Sequence, residues 1–490
     1  LATLAARLGD NQARLDVLTS PEVSVRGTIA LSIDALTTSK RSVDQAAAKA
    51  LPLCALIDGD NFPLRLAAAV LELPLAEAED VLERLVDVHL LETPAMHRYR
   101  LHDLVAEVGR EHAYRTLTDA QRQAAWERVL TCYLSMLWRS EELFVPRRRF
   151  GPGWPDPAWA VPAADLTDLT AIMEWLDGER FALVAAIKKA RAGSAADQLA
   201  AVRMAVALIG FTGQRRRWTE LRDAIEAVID LLDELTDPVP KAKLLVDLGN
   251  AYGGFQDYAT ALKYHELGLD YVVLLNNPQL EGALLVNLSY GLQRVGRSAD
   301  GLVRAQQALA LAKTHHQAGV ESAAHLMIGS LAGETGDFTL QTEAFERAAQ
   351  PLRDKGQPTH LAHRLRFIAE SLRECGRHQE SLAMLQECVQ LHRQNPDQAD
   401  GFLAETLSDL GAVNHALGRY DDALAHYAEA LEIASAHDIF DQEILIRTRT
   451  GETHAAAGRP GNARPEWQLA LALSEKHGAP TEQLRTLLEA

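Results

Sequence analysis

The chain has 490 residues, 47% of them hydrophobic and 24% charged, which is the composition of a globular protein with roughly two to four domains. Its 67 acidic residues outnumber the 49 Lys and Arg and give a net charge of −18, which argues against broad binding to nucleic acid or to anionic membranes. No apolar run approaches the roughly 18 residues of a membrane span. The cysteines lie far apart without a C-x-x-C pair, which is typical of reduced core residues in a cytoplasmic protein.

The first third of the chain has the pattern of a small helical domain that ends in a hairpin. Helices are predicted over residues 25–36, 43–53, 63–71 and 75–86, followed by a hairpin that turns through 93–97 and returns over 98–101. This order of elements is that of a winged helix. The helix before the wing carries Glu77, Glu79, Asp80 and Glu83 against the single base Arg84, so a DNA backbone would be repelled and direct DNA binding is disfavoured.

The short motif Tyr99-Arg100-Leu101-His102-Asp103-Leu104 follows the predicted wing. Asp103 is placed to cap the next helix by accepting hydrogen bonds from its first backbone N–H groups. That arrangement would leave His102 at the positively polarised start of a helix, where an anion can bind. On spacing alone, a surface histidine beside a helix cap is the simpler interpretation.

Residues 1–110 resemble the end of the NB-ARC module of signal-transducing NTPases. The resemblance rests on A-L-S-I-D-A-L at 30–36, E-R-L-V-D-V-H-L-L at 83–91 and the motif around His102. It implies that 1–20 closes a preceding helical domain and that 21–114 is the winged-helix domain of the module. It also implies that His102, supported by Asp103, contacts the phosphates of bound ADP in a closed, inactive state.

The phosphate-binding loop of such a module has the pattern G-x-x-x-x-G-K-[ST], which occurs nowhere in the 490 residues. The chain is therefore expected to be a segment of a longer protein. ADP or ATP binding is expected only together with the missing nucleotide-binding domain, and the segment itself is expected not to be an enzyme.

Residues 115–194 are predicted to form a helical connector. An amphipathic helix at 120–137 and a second helix at 168–190 flank a proline-rich loop between 145 and 162. The arginines of this loop, at 147–149, and those at 215–217 are interpreted as solubilising clusters. The W-L-D-G-E-R sequence at 175–180 resembles a signature found between the NB-ARC module and the repeats of actinobacterial regulators.

From about residue 195 to the end, the chain repeats itself about every 40 residues. Small residues mark the period, at Gly249, Ser289, Gly329, Ala369, Gly411 and Gly451. A second series of glycines runs in phase with the first, at Gly296, Gly336, Gly376, Gly418 and Gly458. Self-similarity at one period predicts stacked helical hairpins, in which the small residue permits close helix contact and the second glycine ends the first helix.

The pattern around these small residues resembles the tetratricopeptide repeat, although the usual period of that family is about 34 residues. The resemblance implies a mainly α fold in which 195–490 form an α-α superhelix of about seven units. The array would begin with a degenerate copy around Ile209 and end with a capping helix at 481–488.

The first helix of each unit in such an array lines its concave side. The register assigns ten residues to this groove: Asn250, Tyr290, Gln293, Arg294, Arg366, Glu370, Arg373, His415, Thr448 and Glu452. Their charged side chains could hold a protein segment, a peptide or a small ligand. They could equally pair with one another and only solvate the groove. The pair His315-His316 is interpreted as a solvated helix end rather than a metal site.

The order winged helix, connector and repeats resembles the C-terminal portion of actinobacterial regulators of the antibiotic regulatory protein type. The resemblance implies a sensor arm, in which the repeats bind a ligand or partner and the winged helix couples that event to an ADP-held autoinhibited state. The nucleotide-binding domain of the same protein would be a partner, and a homo-oligomer would form on activation. The alternative is a nucleotide-independent scaffold for protein assembly.

Overall fold

A computed structural model describes residues 19–20, 23–144, 166–234, 237–394, 400–477, 479 and 481–489. The described residues divide into two compact units, one containing those up to Leu143 together with 166–204, the other those from Ala205 onwards. Residues 1–18 and the loop at 145–162, including its arginines, lie outside the described residues. The domain limits predicted at 20, 114 and 194 stay predictions.

The first unit combines helices with short antiparallel strands. β1 (Thr19–Ser20) pairs with β2 (Val23–Ser24), and β5 (Arg98–Arg100) lies between β3 (Phe62–Pro63) and β4 (Glu92–Ala95) in a second sheet. The helices are α1 (Val25–Thr38), α2 (Ser42–Cys54), α3 (Leu64–Leu71), α4 (Leu75–Asp87), α5 (Asp103–Thr116), α6 (Asp119–Phe144) and α7 (Leu169–Arg191).

The four predicted helices and the hairpin of the first unit are present within a few residues of their expected limits. The short strand β3 was not predicted, since two residues carry no periodicity; it pairs through Phe62 with Tyr99 of the hairpin. Helix α4 buries Ala78, Val81, Leu82 and Leu85, as its spacing requires. Whether this arrangement functions as a winged helix stays a prediction.

Glu179 explains why the sequence at 175–180 carries an acid at its fifth position. The side chain is 1% exposed and accepts hydrogen bonds from Arg98 Nη2 at 2.5 Å and from Tyr133 Oη at 3.0 Å. Burial raises the pKa of Glu179, while Arg98 opposes that shift. Trp175 packs on the Tyr133 ring with 6.0 Å between centroids. These contacts join β5, α6 and α7 within the first unit.

The second unit is a series of helices, of which those between residues 238 and 477 have nearly equal lengths. They are α8 (Ala195–Arg215), which crosses the limit between the units, α9 (Trp218–Glu226), a 3-10 helix (Ile229–Glu234), α10 (Pro238–Gly254), α11 (Tyr258–Leu274), α12 (Pro278–Arg294), α13 (Ser298–Thr314), α14 (Ala318–Glu334), α15 (Phe338–Asp354), α16 (Pro358–Glu374), α17 (His378–Arg393), α18 (Asp400–Ala416), α19 (Tyr420–Ala436), α20 (Phe440–Ala456), α21 (Pro460–His477) and α22 (Glu482–Glu489).

Helices from α10 to α21 pack as six consecutive hairpins, and the first helices of neighbouring hairpins also contact each other from α12 to α20. The predicted mainly α fold with a stacked α-α array is confirmed. The array is preceded by the long α8 and the short α9, where the degenerate copy was expected, and α22 packs on α21 at its end.

The two series of small residues have the structural roles that their spacing predicted. A Cβ at Gly411 would overlap the ring of Tyr427, which is 2% exposed, so only glycine lets α18 and α19 approach this closely. Gly418 has a φ of 71°, a left-handed conformation that ends α18. Local sequence therefore determines both the close helix contact and the turn.

The prediction that no apolar segment approaches the length of a membrane span is wrong. Among the described residues, the helical segment Ala195–Gly213 has the length and composition of a membrane-crossing helix, with a mean hydropathy of 1.3, and 67% of that window is buried. A helix buried on most sides is apolar all round without crossing a membrane. In the described part of the chain, no group of three or more His, Cys, Asp and Glu side chains could hold a metal ion.

Candidate ligand-binding cavity

A cavity of about 490 Å³ lies inside the second unit and is lined mainly by the first helices of the hairpins. Two positions of the repeat recur in its lining. The position two residues before the small residue contributes Asp247, Asn287, Phe367, Asp409 and Arg449. The position directly after it contributes Asn250, Tyr290 and Glu370. These positions lie three residues apart and therefore share one helix face.

Arginine and carboxylate side chains form a network along one wall of the cavity. Arg366 reaches Asp409 at 2.9 Å and Glu405 at 3.2 Å, and Arg449 reaches Asp409 at 3.0 Å. Burial by itself would raise the pKa of Asp409, but Arg366 and Arg449 hold it below its ordinary value. The network therefore keeps Asp409 ionised inside the unit.

A polar cluster lies on the wall formed by α10 to α12. Asn287 Nδ2 donates to Asn250 Oδ1 at 3.0 Å, and His265 Nε2 lies 3.2 Å from the same oxygen. Burial lowers the pKa of His265 to about 4, so the ring is neutral at physiological pH. The ion pair between Lys243 and Asp247 lies on the same helix as Asn250. This wall thus presents neutral hydrogen-bonding groups.

The turn between α8 and α9 makes contacts with helices far along the array, and we name this set of contacts the clasp. Arg216 pairs with Glu405 at 2.6 Å, and Thr219 Oγ1 donates to Asp441 at 3.3 Å. Arg217 is 2% exposed and donates to the backbone carbonyl oxygens of His437 and Asp438. The clasp joins the start of the array to α18 and to the α19–α20 turn, and its Arg216 and Glu405 line the cavity.

Four of the ten predicted groove residues line the cavity: Asn250, Tyr290, Arg366 and Glu370. The structure brings them together from α10, α12 and α16. Arg366 is held by two acids, which is the pairing that the sequence left open as an alternative to ligand binding.

The other six lie outside the residues that line this cavity. Gln293 is buried and donates to Ser330 at 2.8 Å and to Glu334 at 2.7 Å. Arg294 pairs with Glu374, and Arg373 lies 4.0 Å from the same carboxylate. His415 Nδ1 lies in hydrogen-bond distance of Thr453 Oγ1, at 2.7 Å, and the Thr448 hydroxyl donates to the Ile444 carbonyl oxygen at 2.7 Å. Burial raises the pKa of Glu452, and the charge of Arg449 opposes this shift.

Sequence reasoning missed several charged residues of the cavity, and the register contained the signal for most of them. Asp247, Asp409 and Arg449 occupy the position two before the small residue, whereas the residue chosen in α20 was Thr448, three before it. One step along a helix turns the side chain by about 100°. Arg216 and Glu405 reach the cavity through the clasp, which no periodicity indicates.

His102 is exposed and lies at the start of α5. The prediction that Asp103 caps this helix is wrong, because His102 is itself the N-cap residue and Asp103 is the first residue of the helix. His102 Nδ1 accepts from the Leu104 backbone N–H at 3.4 Å. In the neutral ring this tautomer leaves the proton on Nε2, which can donate to an anion.

The stacked helical hairpins define a tetratricopeptide-type array. A tetratricopeptide repeat model matches residues 361–436. The regulatory protein AfsR of Streptomyces coelicolor is 36% identical over 199 residues, which are 40% of this chain and 19% of that protein. AfsR of Streptomyces griseus is 26% identical over 496 residues, which are 100% of this chain and 48% of that protein. The chain spans less than half the length of both relatives.

A solved structure of a Rap protein complexed with competence and sporulation factor is also similar. It covers 76% of this chain and 91% of its own, with 12% identity and a TM-score of 0.49. This likeness is too low to transfer a ligand from that protein.

Proposed function

We propose that the chain is the sensor arm of a signal-transducing regulator and that its signal is a ligand bound in the cavity of the second unit. The ligand would be a peptide, a segment of a partner protein or a small molecule. The likeness to AfsR over the full chain supports a regulatory role. The first unit would be the winged-helix part of an NB-ARC module, which couples ligand binding to an ADP-held inactive state.

The observation that carries this proposal is the cavity of about 490 Å³. A volume of this order accommodates a small ligand or a few peptide residues. Its walls combine paired charges, neutral amides and aromatic rings, a mixture that can select a ligand by geometry as well as by charge. The rival function, a scaffold that assembles partners on its outer surfaces, does not require this interior.

Filling the cavity tests the proposal. Gly253 lines the cavity near the end of α10, and a Cβ built there would have no other atom within 4 Å. In the full-length protein, Gly253→Phe should therefore place a ring in the open space without disturbing the packing of the array. We expect the variant to fold but to lose its response to the signal in cells, measured as transcriptional output.

Gly253→Ala is the matched control, because it makes the same backbone change without filling the cavity. It should fold and respond like the wild type. A Gly253→Phe variant with unchanged melting temperature and unchanged response would exclude the cavity as the sensing site and favour the scaffold.

The nucleotide switch is tested at His102. In the full-length protein, His102→Ala should release ADP roughly tenfold faster and raise basal output, because a hydrogen bond from Nε2 to a phosphate contributes on the order of 1–2 kcal/mol. The release of a fluorescent ADP analogue measures the effect. His97→Asn, a change of an exposed histidine on the neighbouring hairpin, should leave ADP release unchanged. Equal ADP release in wild type and His102→Ala would remove this histidine from the mechanism.

A further inference from the structure

One corner of the cavity is lined by aromatic rings that stand perpendicular to each other. The Tyr258 and Tyr290 centroids are 5.7 Å apart at 80°, and the Tyr290 and Phe367 centroids are 6.1 Å apart at 77°. All three residues line the cavity. Aromatic ring faces carry partial negative charge, so such a corner attracts a cation.

Glu370 borders the same corner. It lies one turn after Phe367 on α16, its side chain is 23% exposed, and its Oε1 is 3.5 Å from Tyr290 Oη. A carboxylate and aromatic faces thus meet around one part of the cavity. Burial and the nearby Asp409 raise the pKa of Glu370, while the charges of Arg366 and Arg294 oppose the shift without cancelling it.

The other acids of the cavity wall are better compensated than Glu370. Glu405 and Asp409 each have an arginine within 3.0 Å, and Asp247 pairs with Lys243. The cation found nearest to Glu370 is Arg294, with 3.9 Å between Nη1 and Oε1. Among the carboxylates of this wall, Glu370 is therefore the one that a cationic ligand would stabilise most.

Arg294 shows that a guanidinium is accepted at the edge of this corner. Its guanidinium carbon lies 5.3 Å from the Tyr258 centroid, and it pairs with Glu374. Its Nε is buried without a hydrogen-bond partner. Arg294 is absent from the cavity lining, so it approaches the corner from outside the space that a ligand would fill. An incompletely bonded internal cation is one that a ligand cation can replace.

We propose that Tyr258, Tyr290, Phe367 and Glu370 form a subsite, the cation box, for an ammonium or guanidinium group of the ligand, with Arg294 at its edge as a competing cation. This inference rests on the proposed function, since it assumes that the ligand enters the cavity. The ligand cation would replace the contact of Arg294 with Glu370, would leave Arg294 paired with Glu374, and would neutralise the charge of Glu370.

The experiment measures binding of three small probes to the 490-residue chain by calorimetry. N-acetyl-arginine methylamide should bind about tenfold more tightly than the citrulline equivalent, which has the same shape without charge, and the glutamate equivalent should not bind. Glu370→Gln should reduce arginine-probe affinity roughly tenfold, and Arg294→Met should increase it by a similar factor because the internal competitor is gone.

Arg297→Met is the matched control. Arg297 lies three residues after Arg294, is 57% exposed and pairs with Asp300, so its loss changes the net charge equally without touching the box. It should bind the probe like the wild type. Equal affinity for the arginine and citrulline probes, or an arginine affinity unaltered in both Glu370→Gln and Arg294→Met, would overturn the cation box.

Further probes distinguish the source of the cation. A pentapeptide with a central arginine that binds more tightly than agmatine indicates a peptide ligand, and the reverse order indicates a small amine; both support the box. The Gly253→Phe variant separates the two proposals. If it keeps its cellular response while the probe results hold, the sensor proposal fails alone; if it loses the response while arginine and citrulline bind equally, only the cation box fails.

Discussion

Replacing Arg217 with methionine should destabilise the second unit by about 2–4 kcal/mol and open the clasp. The guanidinium is buried, and its acceptors are the carbonyl oxygens of His437 and Asp438 at the carboxyl end of α19. Carbonyl groups at the end of a helix have no partner within the helix, and they carry partial negative charge. Without Arg217 they would lose this charged donor.

Hydrogen exchange measures this effect locally, and denaturant unfolding measures it globally. Amides at residues 437–441 should exchange faster in Arg217→Met, and the radius of gyration by small-angle scattering should rise if the array opens. The matched control is Arg459→Met, the same position of a later repeat, where Arg459 is 46% exposed and pairs with an exposed Asp421. That variant should lose less than about 1 kcal/mol. Wild-type exchange at 437–441 in Arg217→Met would show that the clasp does not hold the array closed.

The second large effect is a pH dependence at the same clasp. Burial, and then the negative charge of Glu220, raise the pKa of Asp441 to about 7, against the hydrogen bond from Thr219 and the charges of Arg222 and Arg217. The ordinary value in an unfolded chain is about 3.9. The folded state therefore binds the proton more tightly, and the stability that this proton contributes is present below pH ~4 and lost as the pH rises through 7.

Asp441→Asn should accordingly be more stable than the wild type at pH 8, by on the order of 2–4 kcal/mol, and equally stable near pH 4. The difference in unfolding free energy between the two proteins, followed against pH, is the measurement. The difference between the two proteins is measured because the histidines also make stability depend on pH, equally in both. Burial lowers the pKa of His265 and His392 to about 4, so those rings reduce the stability as the pH falls below 6.5.

Asp421→Asn controls for the loss of one negative charge, since the Asp421 side chain is 81% exposed. Its unfolding free energy should follow that of the wild type at every pH. An Asp441→Asn profile parallel to the wild-type profile would contradict a raised pKa at the clasp.

The helical hairpins could be predicted because their determinants lie within a few residues of one another. Gly411 and Tyr427 face each other across one hairpin, and Gly418 makes the turn between them. The acidic face of α4 could likewise be predicted from the spacing of its residues. The cap of α5 was not, because His and Asp side chains can both accept from the same N–H groups, and only the backbone conformation decides which one does.

The cavity could be predicted only in part. Asn250, Tyr290, Arg366 and Glu370, chosen from the register, line it. Arg449 was missed because its neighbour Thr448 was chosen, and Asp409 because His415 was chosen on the same helix. A small rotation of each helix about its axis, which the packing of its neighbours sets, decides which of two adjacent residues faces inward.

The sequence by itself determined the secondary structure, the period of the array and the helix faces that are buried, because these follow from local sterics and periodicity. The tertiary structure alone decided that Arg217 meets His437 and Asp438, more than 200 positions further along the chain. Such a contact depends on the small rotation between successive repeats, summed over the whole array. It also decided which charges inside the cavity are paired, since that depends on distances between helices that no single repeat contains.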